Sequence, residues 1–149
     1  MHIVCMTLVL IGRESPVRER LVVELCELDG VEVVVRSPET DDIRSTINVL
    51  KPDAFLIDIQ QVEAGGLKLI RAIRELKNGR SPVIIALSSG TSLQYRMKYR
   101  MKCHEAGATF FFDASSDQES LLSTFRSIRL EIDHHHAGVN GSSGRDEAK

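Results

Sequence analysis

The chain has 149 residues, 42% hydrophobic and 27% charged, with 19 Lys and Arg against 21 Asp and Glu for a formal net charge of −2. That length suits one domain that can bury a core without staples, and the near-neutral balance excludes a global field drawing nucleic acid or an anionic membrane. Three scattered cysteines, Cys5, Cys26 and Cys103, make no disulfide framework or zinc spacing and point to a reducing compartment.

The first eleven residues, MHIVCMTLVLI, are apolar but too short to span a bilayer, and they lack the basic region and cleavage site of a signal peptide. They read as a leader over 1–6 followed by a strand with the continuous apolar run Leu8 to Ile11, suited to burial on both faces. Ser15-Pro16 gives an N-cap and a proline at the first helical position. The helix that follows carries Val17, Leu21, Leu25 and Leu28 at helical spacing and stops at Asp29-Gly30. Val31 to Val35 is β-branched and predicts a second strand. Thr40 to Leu50 predicts a second helix, ended by Lys51-Pro52 because proline disfavours helical geometry in its predecessor.

Ala54 to Ile57 is the third strand and delivers Asp58 at its carboxyl end. Gly65-Gly66 reads as closing a loop before a third helix with Leu69, Ile70, Ile73 and Leu76. Pro82 to Leu87 is a fourth buried strand, followed by the polar turn Ser88-Ser89-Gly90-Thr91. A fourth helix runs to about Ala106, Thr109 to Phe112 is a fifth strand, and Ser116 with Glu119 forms a capping-box pattern ahead of a last helix. Five β-α units predict a parallel sheet with helices on both faces and right-handed crossovers. From 133 to 149 the pattern disappears into a small-residue, polar tail whose composition predicts disorder.

Within the fourth helix Tyr95-Arg96-Met97-Lys98 is repeated at once as Tyr99-Arg100-Met101-Lys102. Four residues exceed one turn by a rotation of ~40°, so each residue type forms its own stripe. The basic stripe reads as a solvated face with a docking surface as its rival, and the Met and Tyr stripes read as core or half-buried packing.

In open α/β sheets, chemistry collects beyond the carboxyl ends of the strands. Those ends carry Gly12-Arg13-Glu14, Asp58, Ser88-Ser89 and Asp113-Ala114-Ser115. Asp58 stands alone where an apolar strand meets solvent. It reads either as a nucleophile for a phosphoryl group or as a cap accepting backbone N–H bonds.

The segments Pro52-Asp53 through Asp58, Gly66-Leu67, Pro82 through Ser88, Gly107-Ala108 through Phe111, and Ile11 through Leu21 resemble, in order and spacing, a response-regulator receiver domain. The likeness spans about 7–132. It implies a flavodoxin-like, CheY-like doubly wound α/β fold with five parallel strands in the order 2-1-3-4-5. It also implies that Asp58 is the phosphoacceptor position, Ser88 the switch hydroxyl and Phe111 the switch aromatic, with Gln60 where the family uses a backbone carbonyl as a metal ligand.

Three departures accompany the match. Gly12 and Arg13 stand where the family places an acidic pair for Mg²⁺, with Glu14 one residue out of register. Ala114 stands where it places a lysine, and Val62 where a proline is common. Mg²⁺ needs hard oxygen ligands and phosphoryl transfer needs positive charge, so the expectation is no cofactor or only doubtful Mg²⁺ through Asp58. Arg13 is the one nearby cation this reading supplies; it either pairs with Asp58 or points to solvent.

The function expected is a stand-alone, non-enzymatic, cytoplasmic receiver-like phosphoprotein of two-component phosphorelay signalling, acting by protein contact with a degenerate phosphoryl site. Its partners would be a histidine kinase, a phosphotransfer protein or another signalling protein, with no nucleic acid and no membrane, and the chain a monomer or weak dimer. One alternative is a phosphorylation-independent pseudo-receiver docking through its helix-four to helix-five face; another is a flavodoxin-like domain binding flavin or cobalamin, since fold does not fix function. No phosphate-loop motif occurs. His134-His135-His136 reads as a solvated tail segment and His104 as a surface residue.

Overall fold

The computed structural model describes residues 6–36, 43–76, 82–88, 93–113, 117, 119–128 and 130. The elements in chain order are β1 (Met6–Ile11), α1 (Pro16–Cys26), β2 (Val31–Arg36), α2 (Ile43–Leu50), β3 (Ala54–Asp58), α3 (Ile59–Glu75), β4 (Val83–Ser88), α4 (Leu93–Ala106) and β5 (Phe110–Asp113), followed by a last helix, α5, over 119–128. All strand pairs are parallel and the sheet order is β2-β1-β3-β4-β5. No helix among the described residues is long and apolar enough to cross a membrane.

Strand alternation divides the core into two layers. Val9, Ile11, Phe55, Ile57, Ile84, Ala86 and Phe111 face α2, α3 and α4, where Ile47, Ile70, Ile73, Cys103 and Ala106 meet them. Met6, Leu8, Leu10, Ala54, Leu56, Ile85 and Leu87 face α1 and α5, packing on Leu21, Leu25, Leu121, Phe125 and Ile128. Burial on both faces is why β3 and β4 are apolar up to their last residues and β1 is apolar at every position except Thr7.

Local chemistry sets most element ends as the sequence predicts. The Ser15 Oγ accepts from the Arg18 N–H at 3.1 Å, and Pro16 opens α1. Lys51 adopts φ 48° between α2 and Pro52, a left-handed helix stop uncommon for a side chain with a Cβ.

Other ends differ from expectation. β1 begins at Met6, fully buried, inside the expected leader, because the apolar layer extends to that residue. Ser88 closes β4 rather than opening a turn, held in register opposite Asp113. α3 starts at Ile59 and runs through Gly65-Gly66. Two glycines cost a helix only about 1 kcal/mol each, and with Val62 in place of a proline no residue removes a backbone donor from its first turns. The α5 ladder opens at the Asp117 carbonyl, which accepts from the Leu121 N–H at 2.9 Å. The expected cap at Ser116 lies outside the described residues.

The amino end of the sheet is closed by two side chains. Asp53 Oδ2 accepts from the Thr7 N–H at 3.0 Å. Arg74, on α3, donates to the carbonyls of Gly107 at 2.8 Å and Pro82 at 2.7 Å, and to Thr109 Oγ1 at 3.1 Å. Partial burial lowers the Arg74 pKa, and this clamp ties α3 to the entries of both β4 and β5. The carboxyl end is left for chemistry.

Candidate functional site

β1 and β3 run in register with Ile11 opposite Ile57, so the next pair in sequence is Gly12 and Asp58. An ideal Cβ on Gly12 would lie 3.2 Å from Asp58 Cβ and 3.9 Å from Asp58 Oδ2. Gly12, which the resemblance sets where an acidic residue is expected, is therefore packed against Asp58 and brings no carboxylate. Asp58 is buried at 6% exposure, with Ser88 at 2% and Phe111 at 7%. On β4, Leu87 is opposite Asp58 and Ser88 lies one residue beyond. Ala86 is paired with Phe111 and Ser88 with Asp113. The strands thus bring Asp58, Ser88 and Phe111 to one end of the sheet.

Two further groups stand at this end: Asp113, which the sequence places at the exit of the fifth strand without a role, and Arg18, which it does not single out. Asp113 is a second buried acid at 5% exposure. Its N–H donates to Asp117 Oδ2 at 2.9 Å, which fixes the exit of β5. Arg18 projects back from the first turn of α1, and its Nη1 donates to the Gly12 carbonyl at 2.9 Å. Arg18 is therefore a cation at the rim in addition to Arg13, correcting the expectation that Arg13 stood alone. Arg13 and Glu14 are both exposed. The only sequence signal for Arg18 is its place three residues after the cap Ser15, inside the first helical turn that faces this end.

The resemblance implies Mg²⁺, which takes near-octahedral oxygen ligands, usually with carboxylates. Gly12 supplies no side-chain oxygen, and Glu14 is exposed. Gln60 lies in the first turn of α3, where a helical carbonyl is directed into the backbone ladder; its side chain is outside the described set, as is Ala114. Among the described residues, no group of three or more His, Cys, Asp or Glu side chains could hold a metal ion. The described residues do not fit the family's Mg²⁺ site. His134, His135 and His136 lie outside the described residues, whereas His104 is exposed with Nδ1 3.1 Å from the Ala108 carbonyl.

The sheet order and the solved structures it matches make this a receiver-domain fold of the response-regulator type. No family model matches the chain. A two-component response regulator of the LuxR family from Aurantimonas sp. superposes with TM-score 0.69 at 20% identity, covering 85% of this chain and 86% of that one. The BeF3-activated N-terminal receiver domain of Klebsiella pneumoniae RstA gives 0.60 at 24% identity, over 82% and 97%. A CheY-like response regulator receiver domain from Methylobacillus flagellatus gives 0.59 at 21%, over 83% and 98%. In sequence, the chain is 28% identical over 126 residues to a protein-glutamate methylesterase/protein-glutamine glutaminase from Clostridium acetobutylicum, a match that covers 79% of this chain and 35% of that protein. The chain thus spans about a third of the length of this curated relative.

Proposed function

We propose that this chain is a receiver-like signalling module that works by protein contact, with Asp58 at the phosphoacceptor position of a site that has lost ordinary Mg²⁺-dependent phosphorylation. The observation that carries this reading is Gly12, seated against Asp58 in the place of an acidic residue. A carboxylate without neighbouring hard ligands holds Mg²⁺ poorly. Without the metal and with Ala114 in place of a lysine, little remains to stabilise a transferring phosphoryl group. Ser88 and Phe111 are proposed to keep the family's switch positions.

Protein contact is supported by the surface. Of six exposed large hydrophobic residues among those described, four (Met97, Met101, Phe110 and Leu130) belong to α4, β5 or the end of α5. A histidine kinase, a phosphotransfer protein or another signalling protein would meet the chain there. The hydrolytic activity in the Clostridium relative's name is that of the whole protein, and the present reading is non-enzymatic.

The test is an amide NMR titration with Mg²⁺. The resonances of Gly12, Asp58 and Ser88 are expected to stay in place through about 10 mM Mg²⁺, roughly the range in which a functional site would fill. Saturable shifts at all three, lost in Asp58→Asn, would overturn the degenerate-site reading.

A further inference from the structure

β2 forms one edge of the sheet, and among the described residues nothing pairs on its outer side. The Gly30 carbonyl accepts from the Met6 N–H at 2.6 Å, and the Arg36 carbonyl from the Gly12 N–H at 3.1 Å. Backbone directions alternate along a strand, so Glu32 and Val34 also turn their polar groups to β1. Val31, Val33 and Val35 turn theirs outward. The Val35 carbonyl on that side accepts from Arg36 Nη1 at 3.2 Å.

Proteins blunt their sheet edges with proline, lysine, bulges or very short strands. β2 has none of these: VEVVVR runs through six residues in unbroken register with β1. Its two charges, Glu32 and Arg36, stand two residues to either side of Val34. They discourage most strands from adding here, but they complement one another across a two-fold axis.

We infer that β2 is a self-complementary edge that pairs antiparallel with β2 of a second copy, the two-fold axis passing beside Val34. In that register Val33 faces Val35 of the second copy, and these outward-turned residues exchange both backbone hydrogen bonds. Val34 meets its own counterpart at the axis, a β-branched pair favoured across strands. Glu32 faces Arg36 of the second copy, and Arg36 faces its Glu32. Both charge pairs fall at non-hydrogen-bonded positions, with Cα atoms about 4.5 Å apart, where side chains approach most closely. Arg36 then exchanges the neutral Val35 carbonyl for a carboxylate, a stronger acceptor, and releases that carbonyl to the ladder.

Other arrangements match worse. Moving the axis to Val33 sets Glu32 against Val34. A parallel pairing in register sets Glu32 against Glu32 and does not close on a two-fold axis. The charges therefore select one register and one orientation, and favour a second copy over an arbitrary strand. This edge is opposite β5, apart from the surface proposed above for signalling partners, so the inference stands independently of that reading.

The full chain is followed by analytical ultracentrifugation from about 10 µM to about 1 mM, and a dimer with Kd on the order of 100 µM is expected for so small an interface. Glu32→Arg and Arg36→Glu should each weaken the dimer at least about tenfold by setting like charges opposite one another, and the two together should restore it. Recovery in the double variant is a result that misfolding cannot produce. Val33→Pro removes an outward N–H, leaves the β1 ladder its donors, and should abolish the dimer. A monomer at every concentration would overturn the inference, as would a dimer indifferent to all these changes or a double variant no better than the single ones. A monomer whose Val33 and Val35 amides resist hydrogen exchange at every concentration would assign the edge to another segment of this chain, and would overturn it as well.

Discussion

Replacing Gly12 by aspartate sets a second carboxylate beside Asp58. A Cβ at position 12 stands 3.9 Å from Asp58 Oδ2, which holds the two carboxyl groups within roughly 4–6 Å, where like charges repel by about 3–4 kcal/mol at an effective dielectric of about 20. Relaxation and hydration reduce this to a destabilisation of about 2 kcal/mol relative to Gly12→Asn, which has the same shape without the charge. The 3.2 Å approach to Asp58 Cβ adds a steric cost that Gly12→Ala and Gly12→Asn share, so the aspartate–asparagine difference isolates the electrostatic part. Repulsion raises the folded-state pKa of the acid pair above its unfolded value of about 4, so the folded protein binds the extra proton and stability falls as pH rises through that window. The penalty is absent below about pH 4 and constant once both acids are ionised. Divalent cation binding between the two acids would reverse it, by about 2.7 kcal/mol at a hundredfold excess over Kd. Urea unfolding of the three variants near pH 4 and near pH 7.5, with and without Mg²⁺, measures each part. If aspartate and asparagine unfold at the same midpoint in every condition, position 12 does not face Asp58 and the account of the site fails.

Arg74→Ala removes three hydrogen bonds from a partly exposed cation and should cost about 2–3 kcal/mol in urea unfolding. Gly107→Ala should be costly as well, since Gly107 has φ +125° and its Cβ would overlap Arg74 Cγ. That cost should shrink by at least about 1 kcal/mol in the Arg74→Ala background, and equal costs in both backgrounds would refute the clamp. Burial pushes the Cys103 thiol up to about 11 whereas Cys26 is exposed. In a Cys5→Ser protein near pH 8, an aromatic disulfide reagent should label Cys26 promptly and Cys103 only on unfolding. Labelling of both at one rate in the native state would contradict the packing of α4.

The fold was legible where physical constraints act along the chain itself. Apolar runs such as Leu8 to Ile11 and Phe55 to Ile57 permit little besides a doubly covered strand, and Ser15-Pro16 states its helix start locally. The start of α3 was not, because Gly65-Gly66 weighs against a helix only modestly, and tertiary packing outweighs that preference. Met97 and Met101 were misread for a related reason: four-residue spacing gives every stripe an equal claim on the core, and only the contact of Tyr99 and Cys103 with it decides. At the site, residue types such as Gly12, Asp58 and Ser88 could be placed in advance. The reach of Arg18 to the Gly12 carbonyl and of Arg74 across three acceptors depends on long side chains whose direction no spacing fixes. The Gly12–Asp58 contact lies between these cases, since it follows once β1 and β3 are aligned at Ile11 and Ile57.

The central claim is that Asp58 keeps the acceptor's place without its ordinary chemistry, and the most direct measurement is phosphoryl incorporation. The full chain is incubated with acetyl phosphate and Mg²⁺ and read by intact mass, with Asp58→Asn alongside. The account predicts no stoichiometric gain of a phosphoryl group in either protein. A stoichiometric gain that depends on Asp58 and Mg²⁺ would contradict it.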